Sequence, residues 1–320
     1  MICFEDVEEK ETNWIYYPYV PRGKITLCAA YPGVGKTYCI CYMCACISTG
    51  KQFFNISPFD NVPETAIYIS AEDGIADTLK KRLRVCGANM RNIFTVEDKN
   101  ASLTFDSPEL EKIIKDKKPA LLVFDPFQAY IGEDVDMNAA NRTRAKLNHL
   151  AFLAEKYDVG IMLICHFNKN QKGDAITRIL GSTDIVGIAR SYLALATIPG
   201  EIDMKYMSHE KSSLAKRGKT ILFHIDPEDG GVVYDGENYL TMDDYTALVQ
   251  KNRNRAAPSL DGAKEFLLNN MPDGYRSAEE LKNLAEANNI SISTLNRARK
   301  ELNITTKRLG FGGACTWYLP

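Results

Sequence analysis

Short apolar runs rich in β-branched residues alternate with longer helical patterns between Lys24 and Asp235. Strands are predicted at residues 25–29, 66–70, 121–125 and 160–165, and helices at residues 36–48, 75–86 and 138–157. This order predicts an α/β domain whose mostly parallel sheet is covered by helices on both faces. Further strand patterns at residues 192–198, 204–209 and 220–225 have little helix between them, so we expect the sheet to end in antiparallel pairs.

The pattern changes after residue 250. Residues 251–259 are polar, contain a proline and lack periodicity, which is typical of a linker. Amphipathic helices are predicted next at residues 260–268, 278–287 and 294–302, the last with Ser293 as its N-cap, and strands at residues 304–309 and 314–319. This order predicts a winged helix-turn-helix over residues 260–320, after a lead segment over residues 1–20 and the α/β domain over residues 21–250.

The composition fits a folded protein with two cores. The 320 residues are 45% hydrophobic and 25% charged, which excludes the disordered and fibrous classes. Residues 1–10 are acidic, and no run approaches the roughly 18 apolar residues of a membrane span. We therefore expect a cytoplasmic protein with no membrane partner. From Lys251 onward there are 11 Lys and Arg against 7 Asp and Glu, a balance of +4, which favours a polyanionic partner for the tail.

Four of the nine cysteines, Cys39, Cys41, Cys44 and Cys46, crowd together, which suggests a metal site or disulfides. Their spacing does not match the common zinc patterns, which have a second ligand pair elsewhere. They fall in the helix predicted at residues 36–48, where cysteine serves as a small buried hydrophobe. We therefore expect them to pack in a core.

A phosphate-binding sequence follows the first predicted strand. Residues 30–37, Ala-Tyr-Pro-Gly-Val-Gly-Lys-Thr, match G-x-x-x-x-G-K-[ST] except that Ala30 replaces the first glycine. Gly33 and Gly35 allow a backbone nest for phosphate oxygens, and the following helix adds its positive end. We expect Lys36, at the solvent edge, to reach the β- and γ-phosphates and the Thr37 hydroxyl to bind magnesium. The predicted nucleotide contacts are Pro32, Gly33, Val34, Gly35, Lys36, Thr37 and Tyr38.

Polar residues follow the other predicted parallel strands. Asp125 ends an apolar strand, as a Walker B ligand for magnesium does. Glu72 and Asp73 follow another strand, where a carboxylate can deprotonate the attacking water. We assign that role to Glu72 and expect Asp73 to cap the next helix; the alternative is that both are caps. His166 ends the fourth strand, either as a sensor of the γ-phosphate or as an ordinary satisfied polar group.

Basic residues in two segments are candidates for DNA binding. Residues 167–178 are polar and lack periodicity, so they are predicted to form a mobile loop that binds a polyanion or is merely solvated. In the tail, basic residues on the third helix and in the wing are candidate phosphate contacts, with protein binding as the alternative. The candidates are Lys169, Lys172, Arg297, Lys300, Lys307 and Arg308.

Together these segments resemble a RecA-like ATPase, and more closely the RepA-type replicative helicases of plasmids and phages. The resemblance covers about residues 21–225 and rests on residues 30–37, 71–73, 123–126, 165–166, 181–190 and 211–213. It implies a ring, usually a homohexamer, that binds ATP and Mg²⁺ between subunits and moves along or unwinds DNA. Single-stranded DNA and other replication proteins are the partners that it implies.

The resemblance also implies site roles that spacing alone does not give. Glu72 matches the catalytic glutamate and His166 the sensor, while Arg190 matches an arginine finger supplied to the neighbouring subunit and Lys211 a second such cation. An ordinary ion pair is the alternative for Arg190.

Other assignments stay open at this point. Ser213 departs from the family pattern, which leaves Lys216 and Arg217 as rivals of Lys211. Arg82 resembles a residue that stacks on adenine. A recombinase-like filament and a DNA-binding regulator that uses ATP only to change shape are alternatives to the ring-shaped motor.

Overall fold

The computed structural model describes residues 1–58, 60–96, 103–132, 140–167, 179, 183–201, 203–228, 230–248, 260–288, 290–308 and 315–320, with the backbone alone at 140–142, 183–184 and 308. These residues divide into two compact units, Met1–Tyr245 and Thr246–Pro320. The predicted linker lies outside the described residues. Within the described part of the chain, no helix is long and apolar enough to cross a membrane.

The first unit contains the strands and helices that position the site. Its strands are β1 Trp14–Tyr16, β2 Val20–Pro21, β3 Ile25–Ala30, β4 Ala66–Ser70, β5 Ile93–Phe94, β6 Leu121–Asp125, β7 Gly160–His166, β8 Ser191–Thr197, β9 Lys205–Ser212, β10 Thr220–His224 and β11 Val233–Asn238. Its helices are α1 Lys36–Thr49, α2 Lys80–Val85, α3 Pro108–Lys117, α4 Ala140–Tyr157 and α5 Thr183–Ile188, and a further helix, α6, follows at residues 242–248. Short 3₁₀ turns lie at Phe4–Asp6, Met90–Asn92 and Phe127–Tyr130.

Nine strands form one sheet in the order β11-β10-β9-β8-β3-β7-β6-β4-β5. The strands from β8 to β5 are parallel, and β9, β10 and β11 extend the sheet in antiparallel pairs. The predicted α/β fold with a mostly parallel sheet and an antiparallel end is confirmed. The edge where β3, β4, β6 and β7 end is called the carboxyl edge below, and the edge where β3 begins is called the amino edge.

The two faces of the sheet are buried in separate cores. Along β3, Leu27 and Ala29 face a core that includes Leu147 and Leu150 of α4, whereas Cys28 faces a second core beneath α1. The four crowded cysteines of α1 are all buried in this second core, and burial raises their thiol pKa values. They pack as the small hydrophobes that the sequence predicts. Trp14–Tyr16 and Val20–Pro21, in and beside the predicted lead segment, are also buried in the first unit.

The second unit has three helices and a small antiparallel sheet. The helices are α7 Leu260–Asn269, α8 Ala278–Ala287 and α9 Ile292–Glu301, and the strands β12 Tyr275–Ser277, β13 Thr305–Arg308 and β14 Cys315–Tyr318 pair in the order β12-β14-β13. Trp317, 2% exposed, fills the core between the helices and this sheet. The expected N-cap Ser293 is wrong, because the Ser291 hydroxyl accepts the N–H of Thr294 at 3.1 Å and α9 begins two residues earlier.

A buried histidine joins separate segments of the first unit. His209 of β9 is 3% exposed and accepts the Gly218 N–H on Nδ1 at 2.9 Å. Its proton is therefore on Nε2, which lies 3.0 Å from the Ser191 hydroxyl, and that hydroxyl donates to the Tyr19 carbonyl at 2.6 Å. Because the histidine donates to the serine, the pair is not a nucleophile with its general base. Burial lowers the pKa of His209 to about 4.

The lowered pKa of His209 predicts a dependence of the protein's stability on pH. The neutral ring is favoured by folding, so its contribution is complete above the ordinary pKa of 6.5 and is lost as the pH falls toward 4. As the pH falls from 6.5 toward 4, we expect protonation of this histidine in the unfolded chain to lower the free energy of unfolding by about 1.4 kcal/mol per pH unit. The His209→Gln variant, whose amide does not titrate, should lose this part of the pH dependence.

Urea unfolding followed by Trp14 fluorescence in a Trp317→Phe background checks this prediction, because the chain has two tryptophans. His149→Gln is the matched control. If His209→Gln retains the pH dependence of the parent protein, the buried histidine is not its source.

Candidate active site

The loop between β3 and α1 has backbone angles that favour glycine at two positions. Gly33 has φ +78° and Gly35 has φ +91°. A Cβ on Gly35 would also overlap Cδ1 of Ile225. Ala30, in contrast, is the last residue of β3 and lies outside the left-handed region, so this position does not need glycine.

The same loop presents polar backbone to an anion. Gly35 is the N-cap of α1, and no side chain caps the helix. Pro32 and Gly33 are exposed, Thr37 and Tyr38 are half-buried, and Val34 packs into the core. The free N–H groups of the first helical turn and the positive end of the helix therefore face the position expected for phosphate.

Lys36 and Asp125 form a buried ion pair. Lys36 Nζ lies 2.6 Å from Asp125 Oδ1, and the side chains are 8% and 2% exposed. The Tyr68 hydroxyl donates to the other carboxylate oxygen, Oδ2, at 2.6 Å, and burial raises the pKa of Tyr68 well above its ordinary value, so it remains a donor. The expectation that Lys36 lies at the solvent edge is wrong, because the ion pair holds it in the interior.

The residues at this edge fit a magnesium ion. Asp125 offers carboxylate oxygens and Thr37 a hydroxyl, which are hard oxygen donors of the kind that magnesium prefers. Because the Lys36 ammonium already neutralises Asp125, a bound magnesium ion would have to replace Lys36 as the partner of this carboxylate.

Glu72 and His166 face each other at the carboxyl edge. Glu72 Oε2 lies 3.5 Å from His166 Nε2, and the Glu72 side chain is 52% exposed. The other ring nitrogen of His166, Nδ1, is buried without a hydrogen-bond partner in the described part of the chain. Glu72 is thus open to solvent and lies close to the His166 ring, whose role as a sensor stays a prediction.

Asp73 is occupied by a different partner. Its carboxylate lies 3.1 Å from Arg82 Nη1, and the Arg82 guanidinium lies 5.1 Å from the centre of the Tyr38 ring. The expected single helix at residues 75–86 begins with a π-helical turn, Ile75–Leu79, whose N-cap is Gly74. The expectation that Asp73 caps this helix is therefore wrong. Stacking of Arg82 on adenine stays a prediction.

Arg190 and Lys211 lie at the amino edge. The Arg190 N–H donates to the carbonyl of Ile25 at 2.9 Å, at the start of the strand whose end carries the phosphate loop. Six strand residues separate these positions, a length of about 20 Å. Lys211 Nζ donates to the carbonyls of Val186 and Ala189 at 2.6 and 2.8 Å, and burial lowers its pKa. Neither cation can reach the phosphate loop of its own subunit.

The candidate DNA contacts are described in part. Lys169 and Lys172 lie outside the described residues, as does the side chain of Arg308. In the second unit, Arg297 and Lys300 are exposed on α9, and Lys307 is exposed with its Nζ 5.2 Å from the centre of the Tyr318 ring.

Tyr68 is a site residue that the sequence reasoning missed. It lies in the middle of an apolar run, Ala-Ile-Tyr-Ile-Ser, whose pattern predicts a strand and no role in the site. The available signal was the pairing of two parallel strands, which places a tyrosine of one beside the carboxylate that ends the other.

Comparisons with known proteins agree with this geometry. The sequence matches the family described as AAA_25: AAA domain over residues 4–172. No curated protein matches it. A KaiC-like protein from the hyperthermophilic archaeon Pyrococcus horikoshii OT3 has a similar structure, with a TM-score of 0.50 and 18% identity, covering 72% of this chain and 100% of the other.

At this identity, the likeness to the archaeal protein concerns the fold alone. The fold is also common, with 526 solved chains matching, so it does not define a substrate. The family match spans more than half of the sequence and includes the phosphate loop and Asp125. The chain therefore belongs to the AAA_25 family of AAA domains and has the core of a RecA-like P-loop ATPase.

Proposed function

We propose that this protein is a ring-forming ATPase motor, a homohexamer, that moves along or unwinds DNA during replication of a phage or mobile element. The observation that carries the proposal is the separation of the site between two sheet edges. The phosphate loop, Glu72 and Asp125 lie at the carboxyl edge, whereas Arg190 lies at the amino edge. The resemblance to RepA-type helicases supports the DNA-dependent role.

At the carboxyl edge, nucleotide binding exchanges the partners of an existing ion pair. Lys36 turns from Asp125 to the β- and γ-phosphates, and Asp125 and Thr37 are the residues that would hold Mg²⁺. A magnesium ion held there would neutralise charge on the phosphate oxygens. Because Tyr68 continues to donate to Asp125, the carboxylate keeps its orientation during this exchange.

Glu72 accepts the proton of the attacking water. It is the exposed carboxylate at this edge, whereas Asp73 is held by Arg82. His166 lies 3.5 Å from Glu72 and senses the loss of the γ-phosphate through this contact.

A ring supplies what one subunit lacks. In a heterologous, head-to-tail interface, one face of a subunit meets a different face of the next, and a closed rotation gives a ring. Such an interface joins an amino edge to a carboxyl edge, so that Arg190 offsets the charge developing on the neighbour's phosphate.

The second unit has features that suit DNA. We infer that its three helices and antiparallel sheet form a winged helix-turn-helix with α9 as the recognition helix. Arg297 and Lys300 lie three residues apart on one exposed face of α9, and Lys307 follows on the first strand of the wing. Their charges match phosphate oxygens, which position a protein on DNA.

Steady-state hydrolysis tests the proposed function. ATP turnover should require Mg²⁺ and rise several-fold with single-stranded DNA, and sedimentation with a nonhydrolysable ATP analogue should show a closed oligomer. An ATP turnover that does not change when single-stranded DNA is added would contradict the ring-shaped motor. An open filament in electron micrographs would contradict it as well.

Replacing each of the two adjacent carboxylates by its amide, one at a time, tests which of them is the general base. Glu72→Gln should keep ATP binding and lose turnover by about 100-fold or more, because an amide cannot accept the proton. Asp73→Asn is the matched control and should retain most turnover. The reverse result in a single-turnover assay would mean that Asp73 is the base.

Mixing two inactive variants tests whether Arg190 acts on the neighbour. Arg190→Ala should bind ATP almost normally but hydrolyse it at least about 1,000-fold more slowly, the usual scale for an arginine finger. Mixed with Glu72→Gln subunits, it should recover partial activity, since some interfaces then join an intact Glu72 to an intact Arg190. If mixed oligomers form and stay inactive, Arg190 does not act in trans.

A further inference from the structure

A polar pocket of about 340 Å³ lies at the amino edge, beside Arg190. The start of β3, one face of α4 and the end of α5 surround it. Its volume is at the lower end of the about 300–1,000 Å³ that is typical of small-molecule sites. Arg144, Asn148 and Glu155 contribute to it from positions that share a face of α4, because they lie four and seven residues apart.

The charges in this pocket do not balance. Lys24, Arg144 and Arg190 line it together with one carboxylate, Glu155. Lys24 Nζ lies 3.5 Å from Glu155 Oε2, so the charges of these two side chains offset each other. In the described part of the chain, Arg144 and Arg190 have no carboxylate partner, and the nearby charge of Arg190 contributes to lowering the pKa of Lys211. Two guanidinium groups in one concavity favour an anion with several oxygens.

Lys211 does not complete this cluster. Its ammonium already donates to three backbone carbonyls at the end of α5, those of Val186, Gly187 and Ala189. Withdrawing it would leave the last carbonyls of α5 without these donors. Arg144, in contrast, is exposed and has a planar fork of donors free to bind.

The volume and lining of the pocket favour a compact phosphate over a nucleic-acid strand. Grooves for single-stranded DNA follow the backbone over several nucleotides and stack bases on aromatic side chains. Among the described residues that line this pocket, none is aromatic.

We propose that Arg144 and Arg190 together bind the terminal phosphate of the nucleotide held by the next copy of the chain, with Arg144, not Lys211, as the second cation supplied in trans. The inference rests on the proposed ring-forming ATPase and adds a residue to its site. Arg144 lies near the start of α4 and Arg190 after α5, so both forks approach the phosphate from one pocket.

Arg144→Ala tests the inference, with Arg91→Ala as the matched control, because Arg91 is an exposed arginine outside the pocket. Arg144→Ala should lower ATP turnover by about 100-fold, the usual effect of removing one preorganised donor, with ATP binding nearly unchanged. Arg144→Lys, which keeps the charge and loses the fork, should recover part of the turnover. Mixing Arg144→Ala with Glu72→Gln subunits should restore activity.

The outcomes separate the inference from the proposed function. If the unaltered protein has no turnover, the proposed function fails. If it turns over ATP and Arg144→Ala matches Arg91→Ala, only the role of Arg144 fails. A mixture that forms rings and stays inactive overturns action in trans. Loss of binding to a fluorescent oligo(dT) without nucleotide, with turnover unchanged, assigns the pocket to the DNA backbone and also overturns the inference.

Discussion

The buried ion pair between Lys36 and Asp125 is the constraint on which the rest of the site depends. Burying two charges carries a large desolvation cost, and removing one partner of such a pair typically costs about 3–5 kcal/mol. The pair joins the start of α1 to the end of β6, and Tyr68 adds β4. Three elements are thus held in register before any ligand arrives. A nucleotide with magnesium can enter by substitution, because each charged side chain gains a new partner as it leaves the old one.

The sequence was most informative where periodicity and side-chain chemistry agree. The four parallel strands at the site were predicted to within one residue, because each is an apolar run that ends in a polar residue or a glycine-rich loop. The two-residue β5 and the three-residue β12 are too short to show a period. The N-cap of α9 is Ser291 rather than Ser293, and composition does not distinguish these serines, because serine is a good N-cap at either position.

Contacts between residues that are far apart in the chain cannot be predicted from the local sequence. Nothing local to Lys36 indicates that it is buried, since that depends on a carboxylate 89 residues away. Arg82 likewise turns toward Asp73 through the geometry of a π-helical turn that periodicity does not distinguish from an α-helix. The role predicted for Arg190 rests on family resemblance alone, and the pocket that it shares with Arg144 depends on how α4 packs beside the sheet.

One strand connects the two edges of the sheet. β10 begins just after the basic loop at residues 213–219, beside Arg190, and ends one residue before Ile225, which packs against Gly35 of the phosphate loop. Because a Cβ on Gly35 would overlap Cδ1 of Ile225, the residue that follows β10 packs directly against the phosphate loop. β10 is therefore a direct structural connection between the phosphate loop at one edge of the sheet and the segment beside Arg190 at the opposite edge.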